Sequence, residues 1–389
     1  MEASDAMKKL AAALLAATLL ALPVQAAEAA PSTTGAPTVD AVGAVLMEKE
    51  TGTVLYEQNA HDKLEPASVT KVMTLLLVME AVDSGRLSLD EPVTVSARAA
   101  SMGGSQVYLK EGEQMSVEEL IKAVAVVSGN DAAVALAEHI AGSEEAFVAR
   151  MNERAAQLGM ADTNFVNCTG LPAAGHLTSA YDIALMSREL ILNHPDIRQY
   201  STIWMDTIRG GQFQLANTNK LVRYFEGCTG LKTGSTDSAL YCLSATAERE
   251  GMELIAVVLG SPTSAQRFSA AQALLTYGFA NYTLVDVRPD QAIPPVAVSL
   301  GVTDTVQPVL ANGSRILLEK SQLNQITTSL QLSEDVEAPV EQGQKLGELT
   351  VSAGDTRLCT IPLVADQAVA RITVPGLFLR LVRNLFLAG

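Results

Sequence analysis

One stretch constrains this chain more than any other: Pro66-Ala67-Ser68-Val69-Thr70-Lys71 runs straight into Val72-Met73-Thr74-Leu75-Leu76-Leu77-Val78-Met79. The run holds neither Gly nor Pro, so its pattern predicts a helix with a buried body. Ser68 and Lys71 stand at i and i+3 and share one face of the first turn, which brings the amine within reach of the hydroxyl. A serine attacks poorly until a base takes its proton, and a desolvated lysine can be that base. Alone, the same spacing also describes an ordinary helix start with an exposed lysine. The rest of the chain decides between the two.

At 389 residues, 48% apolar and 18% charged, the chain has room for two domains with a sizeable core. A net charge of −16 argues against a nucleic-acid partner, because phosphate binding needs a basic face. Lys8-Lys9, the short apolar stretch Leu10 to Leu22 and the small residues up to Ala29 have the layout of a secretory signal peptide over residues 1–29. The expected compartment is therefore outside the cytoplasm. Cys168, Cys228, Cys242 and Cys359 have no metal-ligand spacing and are expected as buried thiols rather than bridges. His61, His139, His176 and His194 are scattered, and neither a metal nor a cofactor is expected.

In chain order, a hairpin (Ala44 to Met47, then Val54 to Tyr56) precedes the Ser68 helix. Ser116-Val117-Glu118-Glu119 is a capping box that opens a helix to Val127. That helix stops at Ser128-Gly129-Asn130, and another begins at Asp131, leaving two short polar side chains at a helix–helix junction. A further helix is expected from Thr178-Ser179 to about Leu192. Then the period changes to strands: Thr229 to Gly234, a turn through Ser235 to Ser238, Leu240 to Ala245, and Leu254 to Leu259. A helix over Gln266 to Phe279 closes this domain, taken as residues 38–280. Short Val/Ile/Thr runs broken by Pro and Gly predict a small all-β domain over 282–373. Residues 375–389 read as an amphipathic helix with Arg380, Arg383 and Asn384 on one face and Leu377, Phe378, Leu381, Val382 and Leu385 on the other. Such a helix rises about 20 Å, short of a roughly 30 Å hydrocarbon core, and would lie in the interface of a membrane.

Three short motifs occur in the order Ser68/Lys71, Ser128/Asn130 and Lys232/Thr233/Gly234, on a helix start, an inter-helix junction and a strand. Together they resemble the active site of penicillin-binding proteins and serine β-lactamases. The segments Glu65 to Thr74, Ser128 to Ala133, Asn167 to Pro172, Thr178 to Asp182, Gly230 to Gly234 and Leu254 to Gly260 are similar to the low-molecular-mass D-alanyl-D-alanine carboxypeptidases. Cys168 departs from the family's usual Pro or Ala, outside the three motifs. The resemblance implies an α/β catalytic domain, an antiparallel sheet flanked by helices plus an all-helical part, followed by the β domain and a C-terminal anchor.

It also implies roles. Ser68 would attack the terminal D-Ala-D-Ala bond of a peptidoglycan stem peptide and form an acyl-enzyme, with Lys71 as base and Ser128 relaying a proton to the leaving amine. Asn130 would hold the substrate backbone, and Lys232, Thr233 and Arg267 the free carboxylate. Gly234 would let the substrate lie along the strand edge, and the N–H groups of Ser68 and Ser235 would form the oxyanion hole. β-Lactams would acylate Ser68. Three rivals remain: a D,D-transpeptidase or endopeptidase, a non-catalytic peptidoglycan-binding scaffold, and a β-lactamase of the same superfamily. The last would need a deacylating Glu, and Glu189-Leu190-Ile191-Leu192-Asn193 carries that string far downstream of Ser128, at a helix end where Glu189 reads as an exposed residue.

Overall fold

The computed structural model describes residues 35–289, 291–311 and 315–387. The expected leader at 1–29 lies outside them. Strands β1 (Gly43–Glu48) and β2 (Val54–Gln58) form the predicted hairpin, and helix α1 (Lys71–Asp83) follows a tight helical turn at Ala67–Thr70. Helices α2 (Val117–Val127) and α3 (Asn130–Ala141) meet at the Ser128-Gly129 junction, and α4 (Glu144–Gln157) follows. Helix α5 (Ala180–Asn193) starts at a Ser179 cap, whose hydroxyl accepts from the Asp182 N–H. Strands β3 (Cys228–Thr236), β4 (Leu240–Arg249) and β5 (Met252–Ser261) form the meander, and α6 (Ser264–Asn281) closes it. Ser235 and Thr236 belong to β3, so the turn starts later than the sequence suggests. The ladder extends to Ser235 opposite Tyr241 and Thr236 opposite Leu240, which backbone pairing decides and side-chain type does not.

The five strands form one antiparallel sheet in the order β2-β1-β5-β4-β3. Alternate side chains feed two cores. Val45, Met47, Ile255 and Val257 face α1, α2, α3 and α5, whereas Leu46, Leu243, Ala256 and Val258 face Phe268, Leu274 and Leu275 of α6. Covering both faces explains why β1 and β5 read as unbroken apolar runs instead of alternating ones. The strand order makes β3 an edge strand, beside the Ser68 turn.

Helix α6 leads directly into β6 (Tyr282–Asp286), which pairs with β7 (Arg315–Glu319). A four-stranded antiparallel sheet includes β8 (Ile326–Leu332), β9 (Lys345–Ala353) and β10 (Thr356–Ala365), and it shares a small core around Val298, Val340 and Leu346 with a three-stranded sheet. Helix α7 (Val374–Leu387) ends the described chain. Arg380 does not extend toward solvent as an amphipathic reading suggests. Its guanidinium pairs with Asp304 and donates to the carbonyls of Gly301 and Val302, both at 2.8 Å. Among the described residues no helix is long and apolar enough to cross a membrane.

Candidate active site

The Ser68 turn is held from three sides. Ala67, immediately before the serine, has φ of 47°, a left-handed conformation that costs a residue with a Cβ about 1–2 kcal/mol. From the second side Gly170 packs on that turn, so closely that a Cβ there would lie 1.8 Å from the Ala67 carbonyl oxygen. On the third, Gly234 of β3 leaves no room either: its Cβ would lie 2.8 Å from both the Pro66 oxygen and the Ser68 nitrogen. The sequence reading gave Gly234 to substrate access. The structure adds a packing reason, since the strand passes directly against the backbone of the Ser68 turn.

Lys71 is fully buried, and its Nζ lies 3.0 Å from Ser68 Oγ, 2.6 Å from Asn130 Oδ1 and 2.7 Å from the Thr169 carbonyl oxygen. Two of these neighbours can only accept. A neutral amine therefore spends both N–H groups on Asn130 and Thr169 and turns its lone pair to the Ser68 hydroxyl. Burial supplies the neutral form, lowering the amine to about 7 against opposing influences from Cys168 and Asp131.

Asn130 is oriented as well as orienting. Its Nδ2 donates to Gly103 O at 2.7 Å and its backbone N–H to Ser105 O at 2.7 Å, which fixes Oδ1 toward Lys71. Ser128, at the end of α2, has φ of 65° and is 4% exposed, and its buried Oγ has no hydrogen-bond partner among the described residues. An unpaired buried hydroxyl costs about 1–3 kcal/mol, a loss that a bound substrate can recover.

On β3, Lys232 is buried and its Nζ donates to the Thr233 carbonyl at 2.9 Å. Burial pushes this amine far down, and the charges of Lys71 and Arg267 push the same way. An arriving carboxylate reverses that, so an anion is the ligand this corner favours. Thr233 Oγ1 bonds Thr218 Oγ1 at 2.7 Å, while Ser235 is exposed at the strand edge. Arg267 is 6% exposed and is no surface ion pair: Nη1 donates to Gly234 O at 3.0 Å and Cys242 O at 3.2 Å, and Nη2 to Ser264 Oγ at 3.1 Å. Its buried Nε has no hydrogen-bond partner among the described residues, and burial lowers the guanidinium to about 10.

Other residues matter that sequence reasoning missed. Asp131, wholly buried, accepts from the backbone N–H groups of Val107 and Leu109, with Oδ2 at 3.0 Å from each, and from Ala132 at 2.9 Å. It thus ties the loop beside Asn130 to α3. An acidic residue opening an otherwise apolar helix was the available hint. Asp131→Asn presents an NH2 group to N–H donors, and it should lower stability by roughly 2 kcal/mol, read as a reduced denaturation midpoint. Thr169 contributes only a carbonyl, which no residue type advertises.

The four cysteines are free thiols, Cys168 and Cys242 buried. Glu189 is not the exposed residue expected: its carboxylate is half-buried, bonded to Arg154 Nη2 at 2.5 Å and Asn193 Nδ2 at 2.9 Å. Glu80, Glu189 and His194 approach closely enough to share a cation, but the Arg154 guanidinium already bridges the two glutamates.

Residues 30–263 match the family described as D-alanyl-D-alanine carboxypeptidase, and residues 287–371 match the C-terminal domain of penicillin-binding protein 5. The chain belongs to the D-alanyl-D-alanine carboxypeptidase family. A curated relative, D-alanyl-D-alanine carboxypeptidase DacF of Bacillus subtilis (strain 168), is 40% identical over 84% of this chain and 85% of its own length. The crystal structure of penicillin binding protein 5 from Haemophilus influenzae superposes with a TM-score of 0.79 at 30% identity, covering 86% of this chain and 99% of that one. Penicillin-binding protein D2 from Listeria monocytogenes, in its ampicillin-bound form, is 36% identical with a TM-score of 0.58, covering 62% of this chain and 100% of that one. The likeness to the Haemophilus influenzae structure spans most of the chain, whereas the Listeria monocytogenes structure, matched over its whole length, corresponds to 62% of it.

Proposed function

We propose that this serine-type D-alanyl-D-alanine carboxypeptidase removes the terminal D-alanine of peptidoglycan stem peptides through an ester on Ser68. The observation that carries the assignment is the three-way contact of Lys71, whose Nζ lies 3.0 Å from Ser68 Oγ and against two groups, Asn130 Oδ1 and the Thr169 carbonyl, that can only accept. The neutral amine takes the Ser68 proton as Oγ attacks the carbonyl of the penultimate D-alanine. The resulting oxyanion receives the N–H groups of Ser68 and Ser235, and each such donor contributes on the order of 3 kcal/mol. Close packing of Gly234 on the Ser68 nitrogen supports that pairing, since Ser235 is the next residue on the strand. Ser128 passes the proton to the departing amine of D-alanine, whose C–N bond breaks. Water then attacks the ester, gives a proton back to Oγ through Lys71, and frees the shortened peptide.

Edge strand β3 suits a substrate added alongside it as a further strand. The carboxylate of the terminal residue goes to Lys232, Thr233 and Arg267, a cationic corner that an internal peptide bond would not satisfy. β-Lactams would enter the same way, and their ester on Ser68 supplies the test: benzylpenicillin should label the wild-type protein at Ser68 and leave Ser68→Ala unlabelled. Label on another residue would refute the assignment.

Export and attachment to the outer face of the cytoplasmic membrane complete the proposal. Val374, Phe378, Leu379 and Val382 of α7 are 84%, 66%, 66% and 37% exposed, an apolar strip opposite the Arg380 clamp. Such a strip favours an interfacial position. Truncation before Val374 should abolish co-sedimentation with phospholipid vesicles while leaving penicillin labelling intact.

A further inference from the structure

We propose that His176 and Thr70 form a hydrogen-bonded relay that aims and polarises the Ser68 backbone N–H, which makes His176 a positioning residue of the oxyanion site. This rests on the reading of Ser68 as the acylated serine. His176 is 2% exposed, and its Nδ1 accepts the Val166 N–H at 3.0 Å. That acceptance leaves the ring proton on Nε2, which faces Thr70 Oγ1 at 2.8 Å and donates to it. The single Thr70 hydroxyl proton then goes to the Ala67 carbonyl, also at 2.8 Å. That carbonyl and the Ser68 N–H belong to one peptide group.

In a trans peptide the C=O and N–H point in opposite directions, so anchoring the oxygen aims the hydrogen the other way. A donor at the oxygen also withdraws electron density and strengthens the N–H as a donor, by about a tenth to a third per link. The relay is closely packed as well as linear. Gly170 covers the Ala67 carbonyl, and a Cβ there would also lie 2.8 Å from Thr70 Oγ1, so the glycine backbone packs directly on both ends of this link. Burial keeps the imidazole neutral down to about 4, so the sequence of donors holds wherever Lys71 can act as base. The left-handed φ of Ala67 sits at the anchored peptide, where the hydrogen bond helps to offset its cost.

The test is stopped-flow acylation by benzylpenicillin, which separates non-covalent affinity from the acylation rate constant. Wild-type labelling at Ser68 is checked first; its absence would overturn the underlying reading and this inference with it. Thr70→Val removes the hydroxyl at nearly constant volume and should slow acylation by about tenfold, well short of the on the order of hundredfold loss from deleting a whole oxyanion donor, with affinity changed by less than about twofold. Thr70→Ser should recover most of the rate. His176→Gln, which can both accept and donate, should outperform His176→Leu by several-fold, and this pair carries the test if Thr70→Val does not fold. Wild-type acylation in Thr70→Val, equal rates for the Gln and Leu variants, or a fall in affinity matching the fall in rate would each overturn the relay.

Discussion

Lys71→Met should slow acylation of Ser68 by on the order of a thousandfold while the protein still folds. Methionine fills most of the lysine volume but offers no base, so the Ser68 proton has nowhere to go. Stability should fall only modestly. Asn130 Oδ1 and the Thr169 carbonyl lose a donor at roughly 1–3 kcal/mol each, and the removal of a buried amine offsets part of that. Lys71→Arg should fare no better, because a guanidinium stays charged and cannot accept the proton. The wild-type rate should carry the same signature in its pH dependence. Burial lowers the amine to about 7, so the neutral fraction, and the acylation rate with it, rises as pH increases through that value and falls tenfold per pH unit well below it. A rate independent of pH between about 5 and 9 would exclude Lys71 as the base.

Gly170→Ala should be among the most damaging single substitutions in the molecule. Its added methyl would lie 1.8 Å from the Ala67 oxygen and 2.4 Å from the Ala67 carbonyl carbon, both backbone atoms with no rotamer to yield. The φ of 81° adds its own penalty. Together these should lower stability by about 3 kcal/mol or more and displace the turn that carries Ser68. Gly175 makes an informative control. Its φ is 80°, yet a Cβ there meets only Asn164 Nδ2 at 3.8 Å. Gly175→Ala should therefore cost about 1 kcal/mol, the backbone contribution alone, with acylation retained. Thermal denaturation and penicillin labelling of the two variants separate close packing from backbone conformation.

The sequence was most informative where side-chain identity carries the chemistry. Ser68, Lys71, Ser128, Asn130, Lys232 and Thr233 announce themselves by type and spacing, and the helix caps at Ser116 and Ser179 follow from local rules. It was least informative where a backbone group or a distant partner decides. The Thr169 carbonyl that holds Lys71, the N–H groups gathered by Asp131 and the Ala67 oxygen under Gly170 have no signature of their own. Gly234 was legible as a glycine, but its packing on the Ser68 turn was not, because that depends on how closely an edge strand passes a helical turn. Arg380 illustrates the same limit at the other end of the chain: helical periodicity put it on a polar face, and a clamp by Asp304 and two carbonyls lies beyond what periodicity can express.

The most direct measurement is release of free D-alanine from a stem pentapeptide by the purified protein lacking residues 1–29, with benzylpenicillin and with Ser68→Ala in parallel. Release that penicillin blocks and Ser68→Ala abolishes is the expected result. Release that survives either treatment, or none from a wild-type protein that penicillin labels at Ser68, would contradict a Ser68-dependent carboxypeptidase.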